Sequence, residues 1–382
     1  MRFLSLRCFH FRNIADSSFV PHERCNVFFG ENGQGKTNLL EAFYLLSTLR
    51  SFRTHRNEEC IELGFSQSRV SAQIEHQGVS HQLEVTLDVD KTMSKVGKVD
   101  GKVQKSVDYL GRVHAILFVP EDLRLLRGAP MLRRKFLDRA IFNGCASYLK
   151  EAQIYERVLK QRNALLRSRD AEMLSVYDQQ LAEAGAVLYR RRTMYLQELL
   201  PRFSASFERI SQTGAVATFL YHSRYVTEPN ANICDQLLSR LTRDHKRDIE
   251  TGYTHSGPHS DDFEFFLGGK PAATFASQGQ TRALILALKI AEIQHFYETQ
   301  SFAPVLLLDD VGSELDAQRT EQLFLFLQEI PSQIFITTTD QNQIPFKIER
   351  ENIPIVSGRI EAKAIEDLSR FVDEGDTKSA KV

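Results

Sequence analysis

Val27-Phe28-Phe29-Gly30-Glu31-Asn32-Gly33-Gln34-Gly35-Lys36-Thr37 runs from an apolar segment through spaced glycines into Lys-Thr. Residues 30–37 match G-x-x-x-x-G-K-[ST], the phosphate-binding loop, and the spacing has a physical reason. Glycines let successive backbone N–H groups turn inward on phosphate oxygens, and the following helix presents its positive end. The Lys36 ammonium then reaches the β and γ oxygens of a triphosphate, and the Thr37 hydroxyl ligates Mg²⁺. Gly30, Glu31, Asn32, Gly33, Gln34, Gly35, Lys36 and Thr37 are therefore the expected nucleotide-binding residues, with Lys36 also catalytic. The flanks agree with the motif. Val27-Phe28-Phe29 reads as a buried strand, and residues 36–49 space Leu39, Leu40, Phe43 and Leu46 on one helical face.

Outward from this loop, alternation predicts two further strands before Val27, and sheet again from Arg69 to Val119 with tight turns at Gln77-Gly78 and Asp100-Gly101. After Pro120 the period becomes helical. Pro130 fits a helix start, and Tyr148 to Leu166 and Met173 to Leu199 predict a hairpin of roughly 40 Å about Ser168-Arg169-Asp170. Its expected seam is Tyr177, Leu181, Ala184, Leu188 and Tyr195, interrupted by Arg191. Sheet resumes at Ala215 to Tyr221 and Phe263 to Leu267, around a helix near Ile233 to Ile249. The last third reads as parallel α/β: helix Gln280 to Tyr297, strand Val305 to Leu308, helix Ala317 to Gln328, strand Ile334 to Thr338, then a hairpin about Gly358. No internal repeat is visible.

A phosphate loop needs a carboxylate to hold its metal, and Val305-Leu306-Leu307-Leu308-Asp309-Asp310 supplies one at a strand end. Asp309 is the expected Mg²⁺ partner, through water. Asp310 is the expected catalytic base that orients or deprotonates the attacking water. Two acids after an apolar strand serve equally as a helix cap. Ser277-Gln278-Gly279-Gln280 precedes a long apolar helix and offers a hydroxyl and backbone N–H groups, an anion site or a plain cap.

The order phosphate loop, Ser277 turn, acidic strand, Ser313-Glu314-Leu315-Asp316 resembles the ATP-binding-cassette ATPases. In these the serine-led turn of one subunit closes on the γ-phosphate held by another. Asn32 to Ala42 followed by Ser51-Phe52-Arg53-Thr54 resembles, more narrowly, the RecF family of SMC-like ATPases. So do Pro120-Glu121-Asp122-Leu123, Arg133-Arg134-Lys135-Phe136-Leu137-Asp138, Ser256-Gly257-Pro258-His259-Ser260-Asp261-Asp262 and Asp309 to Asp316, in that family's order over nearly the whole chain.

The resemblance implies an α/β fold: a cassette-type ATPase head with a phosphate-loop lobe and antiparallel sheet, plus an inserted, largely helical second lobe. The boundaries expected are 1–119 and 270–372 for the ATP-binding lobe, 120–269 for the inserted lobe with its hairpin, and 373–382 for a flexible tail. It further implies an ATP-dependent DNA-binding protein of replication, recombinational repair and the SOS response. Such a protein dimerises on ATP and works with RecR and RecO to load RecA at gapped or stalled DNA. Ser277, Gln278, Gly279 and Gln280 are then expected on the nucleotide of a second copy, and Arg12 and Asn13 against nucleotide as well.

Three departures from the wider cassette pattern predict slow hydrolysis, suited to a switch. No glutamine follows Val119, where only Glu121 and Asp122 stand near. No histidine follows the strand 334–338, where Asp340 is the polar residue. Asp310 replaces the commoner glutamate.

Residues 121–200 hold fifteen Lys or Arg against ten Asp or Glu, although the whole chain has net charge −1. Arg133, Arg134 and Lys135, with Arg124, Arg127 and Arg139, then Arg157, Lys160, Arg162, Arg167 and Arg169, fit either DNA backbone contacts or a solvated helix face. Arg190-Arg191-Arg192 and Arg50, Arg53, His55 and Arg56 carry the same two readings. His255 and His259 near Asp261 and Asp262 lack any common zinc spacing and read as a polar loop.

The 382 residues, 42% hydrophobic and 25% charged, predict two or three modules and exclude a disordered or collagen-like chain. No uncharged apolar run approaches the roughly 18 residues of a membrane span, and Arg2 and Arg7 interrupt the opening segment. The five cysteines are scattered, without C-x-x-C pairs. These features predict a cytoplasmic protein with reduced thiols. A cassette ATPase that regulates another assembly without touching DNA stands as the alternative; an SMC-like tether does not fit so short a hairpin.

Overall fold

The structure, a computed structural model, describes residues 1–90, 94–168, 173–228, 231–310, 312, 316–341, 344 and 348–361. The expected tail 373–382, residues 362–372, Arg169, Asp170, Val311 and Ser313-Glu314-Leu315 lie outside the described residues.

The strands are β1 (Arg2–Phe11), β2 (Ile14–Phe19), β3 (Cys25–Phe29), β4 (Gln67–His76), β5 (Val79–Asp88), β6 (Ser94–Val99), β7 (Lys102–Gln104), β8 (Ala115–Phe118), β9 (Ala217–His222), β10 (Asp262–Leu267), β11 (Lys270–Pro271), β12 (Val305–Leu308), β13 (Ile334–Thr338), β14 (Arg350–Val356) and β15 (Arg359–Ile360). The helices are α1 (Lys36–Thr48), α2 (Ser106–Tyr109), α3 (Arg124–Arg127), α4 (Pro130–Gly144), α5 (Ser147–Ser168), α6 (Leu174–Ser211), α7 (Ile233–Thr251), α8 (Ala272–Phe275), α9 (Gln278–Gln300) and α10 (Ala317–Glu329).

The chain forms two compact units. The first gathers Met1–Gln104 with the stretches returning after Gln333. It holds the antiparallel order β2-β1-β4-β5-β6-β7, and a second group in which β14, β3 and β13 run parallel while β15 folds back on β14. β3 is CNVFF, buried at Cys25 to Phe28, as a parallel strand covered on both faces must be. The turns at Gln77-Gly78 and Asp100-Gly101 have positive φ at both residues (50° and 78°; 50° and 74°), the geometry that joins two strands tightly.

Helix α1 lies between the two strand groups of this unit. The Phe43 ring meets Phe3 of β1 at 4.7 Å and Phe335 of β13 at 4.1 Å, and Phe335 stacks on Phe28 at 6.2 Å. Each ring is fully buried, and each such burial contributes about 1.5–3 kcal/mol. The buried Gln333 side chain bridges the same groups. Its Oε1 accepts from Phe3 N at 2.7 Å and its Nε2 donates to Phe3 O at 3.0 Å. This packing fixes where α1 starts, and therefore where the phosphate loop lies.

The second unit contains Lys105–Ser332. β8 and β12 pair in parallel from Ala115↔Val305 to Phe118↔Leu308, and β9, β10 and β11 form a small antiparallel sheet. α9 is buried continuously from Ala283 to Ile293, a core helix enclosed on all sides that carries only Lys289 and Glu292 as charged residues in that run. This division differs from the expected one: residues 105–119 and 270–332, expected in the nucleotide lobe, cluster with the helical part. The physical reason is that β8 pairs with β12, and the buried Lys289 of α9 donates to Leu117 O at 2.8 Å.

Two helical expectations are also corrected. α6 does not end at Leu199 but continues through Pro201 to Ser211. Proline removes one ladder bond at a cost of about 3 kcal/mol, yet Phe203, Phe207 and Ile210 continue the buried face and offset it. Leu181, Leu188 and Tyr195 of the expected seam are buried, but the line beside them lies one residue on: Asp178, Gly185, Arg192, Leu199 and Ser206 recur every seventh position inside, whereas Tyr177 and Ala184 are half-buried. An apolar pattern search misreads this face because its polar members are paired. Arg162 donates to Asp178 at 2.6 Å and to Asp248 at 2.7 Å, while Arg192 donates to Pro258 O at 2.6 Å. Arg191, expected in the seam, instead pairs with Glu151 at 2.8 Å.

Candidate nucleotide site

Three glycines set the shape of the loop between β3 and α1. Gly30, Gly33 and Gly35 hold φ at 149°, 83° and 108°, a region that side chains beyond glycine rarely enter. A methyl group on Gly30 would come within 2.6 Å of Ile355 O, and one on Gly35 within 2.8 Å of Asn13 Oδ1. The buried Lys36 ammonium folds back across the loop, donating to Gly30 O at 2.7 Å and Glu31 O at 2.8 Å. Gly35 stands at the N-cap of α1 and, having no side chain, makes no capping hydrogen bond of its own. The Thr37 side chain is half-buried in the first turn.

Behind the loop lies a network that motif reading did not resolve. Glu41 is fully buried in α1, and its two oxygens accept from Arg12 Nε and Nη2 at 2.9 and 2.6 Å. Ser51 Oγ donates to Glu41 Oε1 at 2.5 Å, then accepts from Arg53 N and Thr54 N at 2.9 and 3.0 Å. Arg53 Nη1 donates to Asn38 Oδ1 at 2.6 Å, and Asn38 Nδ2 donates to Asn13 Oδ1 at 2.7 Å. Burial lowers the Arg12 pKa, but bonding and charge from Glu41 outweigh it and raise the guanidinium above its ordinary value. Burial, reinforced by Glu41, pushes the Cys60 thiol up to about 11. The segment 51–54 thus belongs to the shell of α1. A buried glutamate on the inner face of a phosphate-loop helix, with arginines on either side in sequence, is the signal that would have found it.

In the second unit, Ser277 caps α9 in a reciprocal box: Ser277 Oγ accepts from Gln280 N at 3.2 Å, and Gln280 Oε1 accepts from Ser277 N at 2.9 Å. Ser277 and Gln278 are exposed and Gly279 half-buried, with the Arg319 guanidinium 3.2 Å from where a Gly279 methyl would sit. Asp309 is buried at the end of β12, its N–H donating to Phe118 O at 2.9 Å. Asp310 holds φ at 47°, left-handed for a residue with a side chain. Asp122 is engaged structurally, accepting from Val119 N at 3.1 Å beside Lys289 at 3.3 Å, while Glu121 is exposed.

The basic residues divide by burial. Arg133 is 7% exposed and is bound to both Asp262 oxygens at 2.7 Å, to Leu125 O and to Gly128 O, so its expected role on DNA is corrected to a structural one. Arg162, fully buried, is corrected in the same way. Arg134 is half-buried and donates to Asp261 O at 2.7 Å; Lys135, Arg124, Arg157, Lys160, Arg167 and Arg190 are exposed.

The loop 256–262 is a buried polar knot. Asp261 accepts from Tyr221 and Tyr225 hydroxyls at 2.8 and 2.9 Å, and His259 Nδ1 meets Tyr155 Oη at 2.6 Å. Burial lifts the Asp261 carboxyl to about 6, opposed by its hydrogen bond from Tyr221 and by Arg192. Among the described residues no group of His, Cys, Asp or Glu is placed to hold a metal ion. No helix among them is long and apolar enough to cross a membrane.

The profile of the RecF/RecN/SMC N terminal domain family matches residues 3–356. The DNA replication and repair protein RecF of Myxococcus xanthus (strain DK1622) is 41% identical over 349 residues, covering 89% of this chain and 91% of its own. That of Anaeromyxobacter dehalogenans (strain 2CP-C) is 42% identical, covering 90% and 94%. A solved structure of the recombination mediator protein RecF-ATP in the RecFOR pathway superposes with TM-score 0.86 at 31% identity, covering 95% of this chain and 97% of that one. An Smc head bound to the C-winged helix domain of ScpA shares the fold, with TM-score 0.57 at 13% identity over 94% and 96%. The fold is thus the α/β, cassette-type head of SMC-like ATPases, and the chain belongs to the RecF family of DNA replication and repair proteins.

Proposed function

We propose that this protein is an ATP-switched DNA clamp, in which ATP binding joins two copies of the chain on DNA and marks a site for recombinase loading. One observation carries the reading: a loop with three glycines at positive φ wraps the Lys36 ammonium at the open start of a helix, an arrangement whose chemistry is triphosphate binding. The RecF–ATP structure similar to this chain supports ATP as the ligand.

In this reading residues 30–37 take the triphosphate, with Lys36 on its β and γ oxygens. Thr37 and Asp309 hold Mg²⁺, which supplies charge neutralisation at the phosphates. Thr37 offers a half-buried hydroxyl in the first helical turn and Asp309 a carboxylate at a strand end, hard oxygen donors of the kind Mg²⁺ takes. Asp310 orients or deprotonates the attacking water. Arg12 and Asn13 line the nucleotide from behind the loop, Arg12 held by Glu41. Ser277, Gln278, Gly279 and Gln280 of a second copy meet the γ-phosphate, so dimerisation follows nucleotide occupancy. With Asp122 engaged by Val119 N and Lys289, hydrolysis is slow and serves to release the clamp.

DNA is held through backbone phosphates by cations at the surface, the exposed Lys135 and the half-buried Arg134 among them, now without Arg133. RecR, RecO and RecA are the partners this reading implies. A gel-shift titration with duplex DNA, with and without ATP, at two salt concentrations tests it. ATP-dependent, salt-sensitive binding is expected. Absent or ATP-independent binding favours a cassette ATPase that regulates another assembly.

A further inference from the structure

The turn joining β14 to β15 touches the phosphate loop at several points. Ser357 N donates to the Gln34 side-chain oxygen at 2.5 Å, and Gly358 N donates to the Gln34 backbone oxygen at 2.9 Å. Just before the turn, Ile355 O occupies the space that a methyl on Gly30 would need, at 2.6 Å. Just after it, a methyl on Gly358 would fall 2.0 Å from the backbone oxygen of Asn13. Asn13 in turn packs under Gly35, and its Nδ2 points to Gly33 O at 3.4 Å. Ser357 and Gly358 both have positive φ, 48° and 76°, which turns their two N–H groups toward one side, where Gln34 receives them. Nothing in the phosphate-binding motif calls for this turn, which lies more than three hundred residues away in sequence.

We propose that the Ser357–Gly358 turn is a positioning element for nucleotide binding: it straps Gln34 and Asn13 so that the loop's backbone N–H groups are already arrayed for the triphosphate. This rests on the reading of residues 30–37 as the ATP site. A glycine-rich loop has many conformations to lose on binding, and holding it from behind removes that entropic cost beforehand. The strap therefore sets ATP affinity, while the groups that act on the γ-phosphate lie elsewhere. By thermodynamic reciprocity, ATP must also tighten the strap.

Full-length Gly358→Ala is compared with Gly101→Ala, which imposes similar positive-φ strain in the β6–β7 turn, where a methyl meets nothing within 4 Å. Both are expected to lower the thermal midpoint. Only Gly358→Ala, whose methyl would fall 2.0 Å from Asn13 O and displace the strap, is expected to weaken ATP binding in a calorimetric titration, by roughly tenfold. Should Gly358→Ala fail to fold, wild-type amide exchange decides: ATP is expected to slow exchange at Ser357 and Gly358 and leave Asp100 and Gly101 unchanged. Equal ATP affinity in the two alanine variants, or exchange at Ser357 and Gly358 indifferent to ATP, overturns the strap while leaving the ATP site standing. A wild type that binds no ATP overturns the site itself.

Discussion

Glu41 and Arg12 form a two-point ion pair on the inner side of α1, with the carboxylate wholly buried and the guanidinium 15% exposed. A charge this enclosed is tolerated because both oxygens are bonded and Ser51 adds a third donor. Removing Glu41 takes away the carboxylate that holds Arg12, whereas removing Arg12 leaves Glu41 beside Arg53 Nη1 at 3.6 Å.

Glu41→Ala is therefore expected to lose about 3–5 kcal/mol of unfolding free energy, and Arg12→Ala less, because Arg53 remains near the carboxylate. Urea denaturation of the double variant closes the cycle. A double loss close to that of either single variant identifies the pair, and additive losses contradict it.

How far the sequence was legible follows from cases like this one. Residues 30–37 were readable because a phosphate loop is local, a fixed spacing whose geometry depends on glycine alone. The turns at Gln77-Gly78 and Asp100-Gly101 were readable for the same reason. Glu41 was quoted as part of a motif without a role, since its partners stand 29 and 10 positions away in the chain. Arg162 and Arg192 read as DNA contacts or solvated face because a charged residue scores as surface until its counter-charge, here Asp178, Asp248 or Asp138, is known. The helical pattern reads as ending at Leu199, because local propensity does not count the aromatic face that continues past Pro201 to Ser211.

Asp261 gives a pH signature. Its folded-state pKa, about 6, lies above the ordinary carboxyl value of 3.8, so the folded chain takes up a proton before the unfolded one does. Its contribution is complete below about pH 4 and is lost as pH rises through 6, on the order of 3 kcal/mol. Asp261→Asn should abolish that slope. Parallel stability curves for wild type and variant between pH 4 and 7 would contradict the assignment.

Arg133 and Lys135 should separate structure from DNA contact. Arg133→Ala breaks a buried pair with Asp262 and is expected to cost about 3–5 kcal/mol. Exposed Lys135→Ala should leave stability unchanged and, under the proposed function, reduce the salt slope of duplex binding by about one. Denaturation and salt-dependent gel shifts check the two halves.

Ser277→Ala removes the acceptor for Gln280 N and should cost about 1 kcal/mol as a lost helix cap. It should keep ATP binding, which Lys36→Ala loses, and fail to dimerise with ATP. Sedimentation with and without ATP measures this; normal ATP-driven dimers of Ser277→Ala would contradict the role given to that turn.

The most direct test is a structure of the ATP-loaded protein. The account predicts that Lys36 of one copy and Ser277 of a second lie within hydrogen-bonding distance of the same γ-phosphate. A triphosphate contacted by one copy alone, with Ser277 of its neighbour turned away, would contradict it.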